Sequence, residues 1–239
     1  MDTAGSLRGK SALVTGGSRR LGAAICRELA ARGAAVVVHY RRSEAEAIAL
    51  NRQLAHGVFS VRADLVVPQE REWMFREAAE WMGRVDILVN NAAVFARDGE
   101  IDAARLREVN VAAPLDLAAR VAAQPGGGCV IHILDSRIAR PAAGPFREYA
   151  ATKRALADSV APLAREWAPR TRVNGVSPGP VLAPEGVREA AGDLPLGRRP
   201  APEDVARAVA FLAESESITG QILYVDGGQH LAGGGAGDA

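Results

Sequence analysis

The segment Ser11-Ala-Leu-Val-Thr-Gly-Gly-Ser-Arg-Arg-Leu-Gly22 joins a short apolar run to an amphipathic stretch. Ser11–Thr15 predicts a buried strand, and Leu21–Arg32 predicts a helix because its apolar residues recur at helical spacing. Between them, Gly16 permits a tight turn and Gly22 permits close packing of the helix on the strand. The amides at the start of such a helix can bind a pyrophosphate, and the alternative is a plain glycine turn. The segment therefore predicts a strand–loop–helix unit with an anion-binding loop.

The same alternation of short apolar runs and longer helical patterns continues along the chain. Further strands are predicted at Ala35–His39, Val58–Arg62, Val85–Asn90, Cys129–Leu134, Thr171–Val176 and Gln221–Val225. Further helices are predicted at Ser43–Ala55, Glu70–Met82, Asp102–Ala123 with a bend near Pro114, Tyr149–Trp167 and Glu203–Glu214. This repetition predicts an α/β fold, a doubly wound parallel seven-stranded sheet with helices on both faces. We expect residues 1–239 to form a single domain.

Composition and charge restrict the function classes. Hydrophobic residues make up 48% and charged residues 24% of the 239 residues, which is typical of a globular domain. The net charge of +1 provides no bulk field for nucleic acid or a membrane surface. The 2 cysteines stand far apart and no Cys/His cluster has metal-ligand spacing, so no metal is expected. Without a recognisable signal peptide or membrane-spanning run, we expect a cytoplasmic protein, with a flexible glycine-rich tail at 232–239.

The residues after the second and third strands make the anion-loop prediction more specific. An NAD site usually has an acidic residue after the second strand to bind the ribose hydroxyls, but this chain has Arg41 and Arg42 there. These arginines can make charge-assisted hydrogen bonds to a 2′-phosphate, unless they are only solvated, so NADPH is favoured over NADH. The predicted cofactor contacts are Gly16, Ser18, Arg19, Arg20, Leu21 and Gly22 in the loop, Tyr40, Arg41, Arg42 and Ser43 after the second strand, and Asp64 and Leu65 beside the adenine, with a loop cap as the alternative for Asp64.

A second pattern is the pair Tyr149 and Lys153. The Tyr-x-x-x-Lys spacing puts both side chains on one face of a helix, one turn apart. A fixed ammonium near a phenol favours the phenolate, so the Tyr149 pKa is expected to fall and the phenol to donate and accept protons near neutral pH. This spacing alone occurs often by chance. The Tyr149 and Lys153 pair is informative in this chain because the glycine loop and Asn90-Asn-Ala-Ala93 precede it at suitable places in the sequence.

With these residues, the chain resembles the short-chain dehydrogenase/reductase family over nearly its full length. The motifs that carry the resemblance are Thr15–Gly22, Asn90–Ala93, Asn110, Tyr149-x-x-x-Lys153, Ser177–Gly179 and Asp226–Gly228. The resemblance implies a Rossmann fold, a nicotinamide cofactor and an oligomer, and we expect a homotetramer or homodimer. Small molecules are the expected substrates.

The resemblance also implies roles for individual residues. Tyr149 would donate the proton, Lys153 would hold the ribose hydroxyls, and Asn110 would kink its helix and support a water path to the lysine. The implied further cofactor contacts are Asn91, Ala92, Ala93, Pro178 and Gly179. In the family, a threonine often follows the Pro-Gly pair and anchors the carboxamide of the nicotinamide. This chain has Ala183 at that position, so the resemblance does not say what anchors the carboxamide here.

Within the family, the chain resembles the pteridine reductase and dihydromonapterin reductase branch. Arg20 replaces the middle glycine of the loop, and His39–Ser43 followed by Glu44-Ala-Glu-Ala resembles the NADPH segment of that branch. Phe95 occupies the position at which such enzymes stack a pterin ring against the nicotinamide. Phe95, Arg20 and Tyr149 are therefore candidate substrate contacts, with ordinary wall packing as the alternative for Phe95.

Two adjacent residues, Asp135 and Ser136, compete for one further catalytic position. Ser136 stands 13 residues before Tyr149, the spacing that most of the family shows, whereas reading from the strand places Asp135 where the pterin branch has an aspartate. Adjacent side chains of a straight strand point to opposite faces, so both cannot face the site unless the chain bends. Ser136 would bind a carbonyl oxygen, and Asp135 would share proton delivery to a ring C=N bond. We favour Asp135.

The sequence thus predicts an NADPH-dependent short-chain oxidoreductase that transfers a hydride to a small planar substrate such as a pterin. Two alternatives stay open: a carbonyl reductase of 3-oxoacyl thioesters or ketones, and a non-catalytic NADP-sensing binding protein. Residues 180–200 are rich in proline and glycine and are expected to form a substrate lid, with a fixed surface loop as the alternative.

Overall fold

A computed structural model describes residues 5–54, 57–142, 144–181 and 194–232. Its strands are β1 (Ser11–Val14), β2 (Ala35–Tyr40), β3 (Val58–Arg62), β4 (Ile87–Asn90), β5 (Gly128–Ile133), β6 (Thr171–Pro178) and β7 (Ile222–Val225). Its α-helices are α1 (Arg20–Ala31), α2 (Glu44–Leu54), α3 (Pro68–Met82), α4 (Ala103–Arg107), α5 (Ala113–Ala123), α6 (Arg147–Trp167) and α7 (Pro202–Glu214). Short 3-10 turns cover Ser136–Ala139, Gly144–Phe146 and Gln229–Leu231.

The strands form one sheet in the order β3-β2-β1-β4-β5-β6-β7, and every pair is parallel. This confirms the predicted doubly wound seven-stranded parallel sheet. The strand order reverses between β1 and β4, so the connections leaving these strands diverge and open a crevice at their carboxyl ends.

The two faces of the sheet carry separate cores because successive side chains of a strand point in opposite directions. On β1, Ala12 and Val14 belong to the core shared with α1 and α7, whereas Leu13 belongs to the core shared with α3, α5 and α6. Residues 36–38 of β2 are completely buried, as expected of a parallel strand covered on both sides. This double burial explains why continuous apolar runs predicted the strands.

The predicted helix at Asp102–Ala123 is helical without a break from Ala103 to Ala123, but it contains a π-helical turn where a bend was expected. Helix α4 ends at Arg107, a π-helical turn spans Glu108–Ala112, and α5 begins with Ala113, whose amide donates to the Glu108 carbonyl. Pro114 has no amide hydrogen and its ring would clash with the carbonyl of the preceding turn, so a wider turn accommodates it. The distortion therefore lies just before the expected bend at Pro114.

Several predicted segments lie partly or wholly outside the described residues. Of the predicted lid at 180–200, residues 182–193 are outside, including Ala183, and of the predicted tail only Ala232 is described. Among the described helices, none combines the length and apolar character needed to span a membrane.

Candidate active site

The predicted site segments meet along one edge of the sheet, at the carboxyl ends of five strands. They are Gly16–Gly22 after β1, Tyr40–Ser43 at the end of β2, Asn91–Ala93 after β4, Asp135–Ser136 after β5 and Pro178–Gly179 at the end of β6. Parallel strands direct the loops that follow them to the same edge, and ligands of such sheets bind there.

The loop between β1 and α1 leads into the predicted anion-binding amides at the start of α1. The N-cap residue makes no side-chain cap hydrogen bond, and the first turn contains no acidic residue. A β-carbon at Gly22 would overlap the carbonyl oxygen of Gly16, so glycine is required for this close approach. Arg20 has a φ of +50°, a left-handed conformation that costs a non-glycine residue about 1 kcal/mol. Ser18 is buried and Leu21 packs on the core below, and the amides at the start of a helix such as α1 can bind a phosphate group.

His39 lies beneath this loop. It belongs to the segment His39–Ser43 named in the sequence analysis, which gave it no role of its own. Its ring is buried, Nδ1 accepts a hydrogen bond from the Gly16 amide at 3.0 Å, and Nε2 donates to the Ala63 carbonyl at 3.0 Å. Burial lowers the pKa of His39 to about 4, which keeps the ring neutral and Nδ1 an acceptor at neutral pH. A histidine near the end of the second strand is the signal that could have identified it.

Replacing His39 with leucine should weaken NADPH binding about tenfold, because the Gly16 amide loses its acceptor and the loop loses its fixed position. His39→Asn is the matched control, since its side-chain oxygen can still accept from Gly16. Fluorescence titration of NADPH with both variants, at matched melting temperature, measures the effect. Equal affinity in the two variants would show that the hydrogen bond does not position the loop.

The basic residues after β2 lie at the surface of the crevice. Arg41 and Ser43 are half-buried and Arg42 is exposed, with the Arg41 guanidinium 4.0 Å from the Asp64 carboxylate of the loop after β3. Because these side chains have few fixed contacts, they are accessible to a phosphate group. The geometry is compatible with the 2′-phosphate assignment of Arg41, Arg42 and Ser43.

Two other predicted cofactor contacts are engaged with α2. Tyr40 packs its ring into the core and donates its hydroxyl to Glu44 at 3.3 Å, so its side chain points away from the crevice. Arg19 is exposed and lies 3.7 Å from the Glu46 carboxylate. Only the backbone of Tyr40 can therefore contact a cofactor in the crevice. The exposed side chain of Arg19 can still turn toward the crevice.

The loop expected beside the adenine is held from below by a buried arginine that the sequence did not reveal. The side chain of Leu65 packs in the core, and its carbonyl accepts from Arg71 Nη1 at 2.5 Å. Arg71 also donates to Glu108 at 2.6 Å and to Asp116 at 3.0 Å. Arg71 thus joins this loop to the π-helical turn and to α5.

The loops after β1 and β4 are fastened to each other. Thr15 Oγ1 accepts from the amides of Asn91 and Ala92, each at 3.0 Å. The Asn91 side chain donates back to the carbonyls of Thr15 and Gly16, at 2.9 and 3.1 Å. Ala93 is exposed beyond them. The Asn91 side chain therefore shapes the crevice, and Thr15 is a further structural residue that the prediction did not include.

Asn110, in the π-helical turn, connects this loop to the helix that carries Tyr149. Its Oδ1 accepts from the Val94 amide at 2.8 Å, and its Nδ2 donates to the Val94 carbonyl at 2.9 Å and to Thr152 Oγ1 at 3.1 Å. The predicted kink at Asn110 thus coincides with the π-helical turn. The side-chain amide holds the loop that leads to Phe95.

The Tyr149 hydroxyl donates to Asp135 Oδ2 at 3.0 Å. Burial raises the pKa of Tyr149 well above its usual value of 10, and the Asp135 carboxylate raises it further. The expected lowering of this pKa by Lys153 is therefore wrong. The phenol is held protonated at neutral pH, which is the form that can give a proton to a substrate.

Lys153 lies behind the tyrosine rather than in contact with its hydroxyl. Its Nζ donates to the Ile133 carbonyl at 2.8 Å and lies 5.9 Å from the centre of the Tyr149 ring. Burial lowers the pKa of Lys153 to about 8, and the Asp135 charge opposes this shift. Lys153 therefore carries most of its charge at neutral pH and begins to lose it just above.

The chain bends after β5, and the bend gives the two neighbouring candidates different surroundings. Asp135 Oδ1 accepts from the Arg137 amide at 2.9 Å, which starts the 3-10 turn, while Oδ2 meets Tyr149. Ser136 is buried and donates its hydroxyl to Gln229 Oε1 at 2.6 Å. The structure thus brings Asp135, and not Ser136, to the Tyr149 hydroxyl.

An aromatic wall borders this group of residues. The Phe95 ring stacks on Phe146 with centres 4.5 Å apart and meets the Tyr149 ring edge-to-face at 4.8 Å. Phe95 is 55% exposed, so part of its ring is accessible to a planar ligand. Arg137 lies 5.6 Å from the Phe95 ring and 3.2 Å from Asp135 Oδ2. Phe146 and Arg137 were not predicted, because their proximity depends on the turns after β5.

Pro178 and Gly179 close the opposite side of the crevice. Pro178 ends β6, and the Gly179 amide donates to the Val225 carbonyl at 3.0 Å. The buried hydroxyl of Ser177 makes no hydrogen bond within the described residues. Across that part of the chain, no group of histidine, cysteine, aspartate and glutamate side chains could hold a metal ion.

Comparison with known proteins assigns the family. The family model described as enoyl-(acyl carrier protein) reductase matches residues 16–230. An uncharacterised oxidoreductase of Methylorubrum extorquens is 37% identical, over 93% of this chain and 98% of that protein. FolM alternative dihydrofolate reductase 1 from Brucella canis, solved in complex with NADP, superposes with a TM-score of 0.88 at 35% identity, covering 99% of this chain and 100% of that chain. A blue fluorescent protein from a metagenomic library, in complex with NADPH, gives 0.86 at 35% identity, covering 93% and 98%. The chain therefore belongs to the short-chain dehydrogenase/reductase family and is an NADP-dependent oxidoreductase.

Proposed function

We propose that this protein is an NADPH-dependent reductase that acts on a ring C=N bond of a small planar substrate, with a pterin as the leading candidate. The observation that carries the proposal is the 3.0 Å hydrogen bond from Tyr149 to Asp135 beside the exposed ring of Phe95. A carboxylate next to a phenol can accept a hydrogen bond from a ring N–H or amino group, whereas a carbonyl substrate offers no donor there. A stacked aromatic wall suits a planar ring.

Each residue has a separate task in this proposal. Bound NADPH supplies the hydride. Tyr149, kept protonated by burial and by Asp135, donates the proton to the ring nitrogen. Asp135 orients the phenol and the substrate, and Lys153 holds the cofactor ribose from its position at the Ile133 carbonyl.

The binding of the cofactor phosphates follows from the positively charged residues after β2. Arg41, Arg42 and Ser43 bind the 2′-phosphate, and the first-turn amides of α1 bind the pyrophosphate. Pro178 and Gly179, at the carboxyl end of β6, would bring their backbone beside the nicotinamide of bound NADPH. Arg20, with its left-handed backbone at the start of α1, would contact the cofactor phosphates, the substrate or both.

The similarity to a protein described as an alternative dihydrofolate reductase supports a pterin-like substrate, since dihydrofolate contains a reduced pterin ring. A panel of dihydropterin, quinonoid dihydropterin and 3-oxoacyl thioester substrates, followed by NADPH absorbance, tests the proposal. We expect the highest kcat/KM with a pterin. Turnover of 3-oxoacyl thioesters or ketones alone would establish the carbonyl reductase alternative. NADPH binding without any turnover would establish the NADP-sensing alternative.

Replacing Asp135 with asparagine should lower kcat on a pterin substrate about 100-fold, because the amide has no charge and only one acceptor oxygen, whereas the carboxylate uses two, for the Arg137 amide and the phenol. Ser136→Ala is the matched control, since its hydroxyl points to Gln229 and its loss should change kcat less than about threefold. Steady-state kinetics with circular dichroism of both variants measures the difference. A larger loss in Ser136→Ala than in Asp135→Asn would favour carbonyl reduction.

The assembly and location follow the family expectation. We propose a homotetramer or homodimer in the cytoplasm, and sedimentation of the purified protein tests the assembly.

A further inference from the structure

We infer that Gln229, in the C-terminal 3-10 turn, is a positioning residue that decides which of Asp135 and Ser136 faces Tyr149. The inference rests on the proposed function for its kinetic consequence, while its structural part stands on contacts alone. Through this contact, the C-terminal turn helps to select between reduction of a C=N bond and reduction of a C=O bond.

The contact between the turn and the catalytic loop is short and buried. Ser136 is 6% exposed, and its hydroxyl donates to Gln229 Oε1 at 2.6 Å across 93 residues of sequence. Arg140, at the end of the 3-10 turn that starts at Ser136, donates to the carbonyl of Gln229 at 2.7 Å and to that of Ala232 at 2.6 Å. The loop and the turn are thus joined at both ends of the loop's 3-10 helix.

The turn itself is firmly built. Asp226 is 2% exposed, and its carboxylate accepts from the amides of Gly228 and His230, at 2.9 and 2.8 Å, and from His230 Nδ1 at 2.8 Å. Gly228 has a φ of +86°, which only glycine adopts without strain. The His230 ring stacks on Tyr224 with centres 4.1 Å apart. Asp226-Gly-Gly228 therefore presents Gln229 to Ser136 in one orientation.

The hydrogen bond to Gln229 keeps the Ser136 hydroxyl away from Tyr149 and leaves that side of the bend to Asp135. Adjacent side chains leave an extended backbone on opposite sides, and Asp135 is extended, with φ −156° and ψ 143°. When Ser136 points toward Gln229, Asp135 points toward Tyr149 and caps the 3-10 turn through the Arg137 amide. Without the Gln229 oxygen, the buried hydroxyl of Ser136 would lose its acceptor, and a buried hydroxyl without a partner favours any rearrangement of the bend that gives it one.

The test compares Gln229→Leu, which removes the acceptor, with Gln229→Glu, which keeps a side-chain oxygen at the same length. Gln69→Leu, an exposed position on α3, controls for a leucine at the surface. We expect Gln229→Leu to lower the ratio of pterin to 3-oxoacyl kcat/KM at least tenfold and to shrink the effect of Asp135→Asn. Gln229→Glu should restore the ratio. In a Ser136→Ala background, Gln229→Leu should have no further effect, because the hydroxyl it acts on is absent.

Crystal structures of the NADPH complexes provide a readout that does not depend on the substrate. Loss of the Asp135–Tyr149 hydrogen bond in Gln229→Leu would support the inference even if the wild-type enzyme reduced no pterin. An unchanged Asp135–Tyr149 contact in a folded Gln229→Leu protein would overturn it. If Gln229→Leu does not fold, Gln229→Asn, one methylene too short to reach Ser136, takes its place under the same two outcomes.

Discussion

Tyr149→Phe should lower turnover by about 10³-fold while leaving NADPH affinity nearly unchanged. The substitution removes one oxygen, which donates to Asp135 at 3.0 Å, and keeps the ring that packs edge-to-face on Phe95. Because the phenol is protonated at neutral pH, it is the proton source in the proposed reduction. The hydride can still be positioned, but the developing negative charge on the substrate has no donor.

Single-turnover kinetics with bound NADPH separates this loss from a binding effect. Tyr224→Phe is the matched control, since Tyr224 lies in β7 and contacts His230. A Tyr149→Phe enzyme with wild-type kcat would refute the catalytic assignment. Loss of NADPH binding in the same variant would show that Tyr149 supports the cofactor rather than donating the proton.

Arg41→Ala combined with Arg42→Ala should weaken NADPH binding about 100-fold and change NADH binding by less than about threefold. Hydrogen bonds to a charged phosphate are worth about 1.5–3 kcal/mol each, and partial exposure of the two arginines together with salt screening reduces the sum. NADH lacks the 2′-phosphate, so it is bound without these contacts.

Isothermal titration of both cofactors with wild-type and double-variant enzyme measures the selectivity. Arg76→Ala controls for the loss of a positive charge, because Arg76 is exposed on α3 and pairs only with Glu80 within the described residues. The NADPH affinity of the wild type should also fall as salt is raised. Equal weakening of NADPH and NADH would show that Arg41 and Arg42 do not read the 2′-phosphate.

Much of the fold could be predicted because its signals are local. The strand–glycine loop–helix unit at Ser11–Arg32 is determined by residues that are close in sequence, and strands buried on both faces appear as continuous apolar runs. Arg41 and Arg42 could be assigned to one edge of the sheet because every parallel strand ends there. The π-helical turn within Asp102–Ala123 could not be predicted, because its hydrogen bonds join residues five apart rather than four apart and side-chain periodicity does not resolve this difference.

The sequence by itself determined the sheet, the glycine loop, the basic residues after β2 and the presence of a tyrosine and lysine on one helical face, since each depends on spacing within a few residues. Only the tertiary structure decided what surrounds the tyrosine. Asp135 lies at the Tyr149 hydroxyl while Ser136 donates to Gln229, 93 residues away, and His39 supports the glycine loop from a neighbouring strand. The tertiary structure also decided the direction of the Tyr149 pKa, because burial and the neighbouring Asp135 carboxylate raise it, while Lys153 donates to a backbone carbonyl.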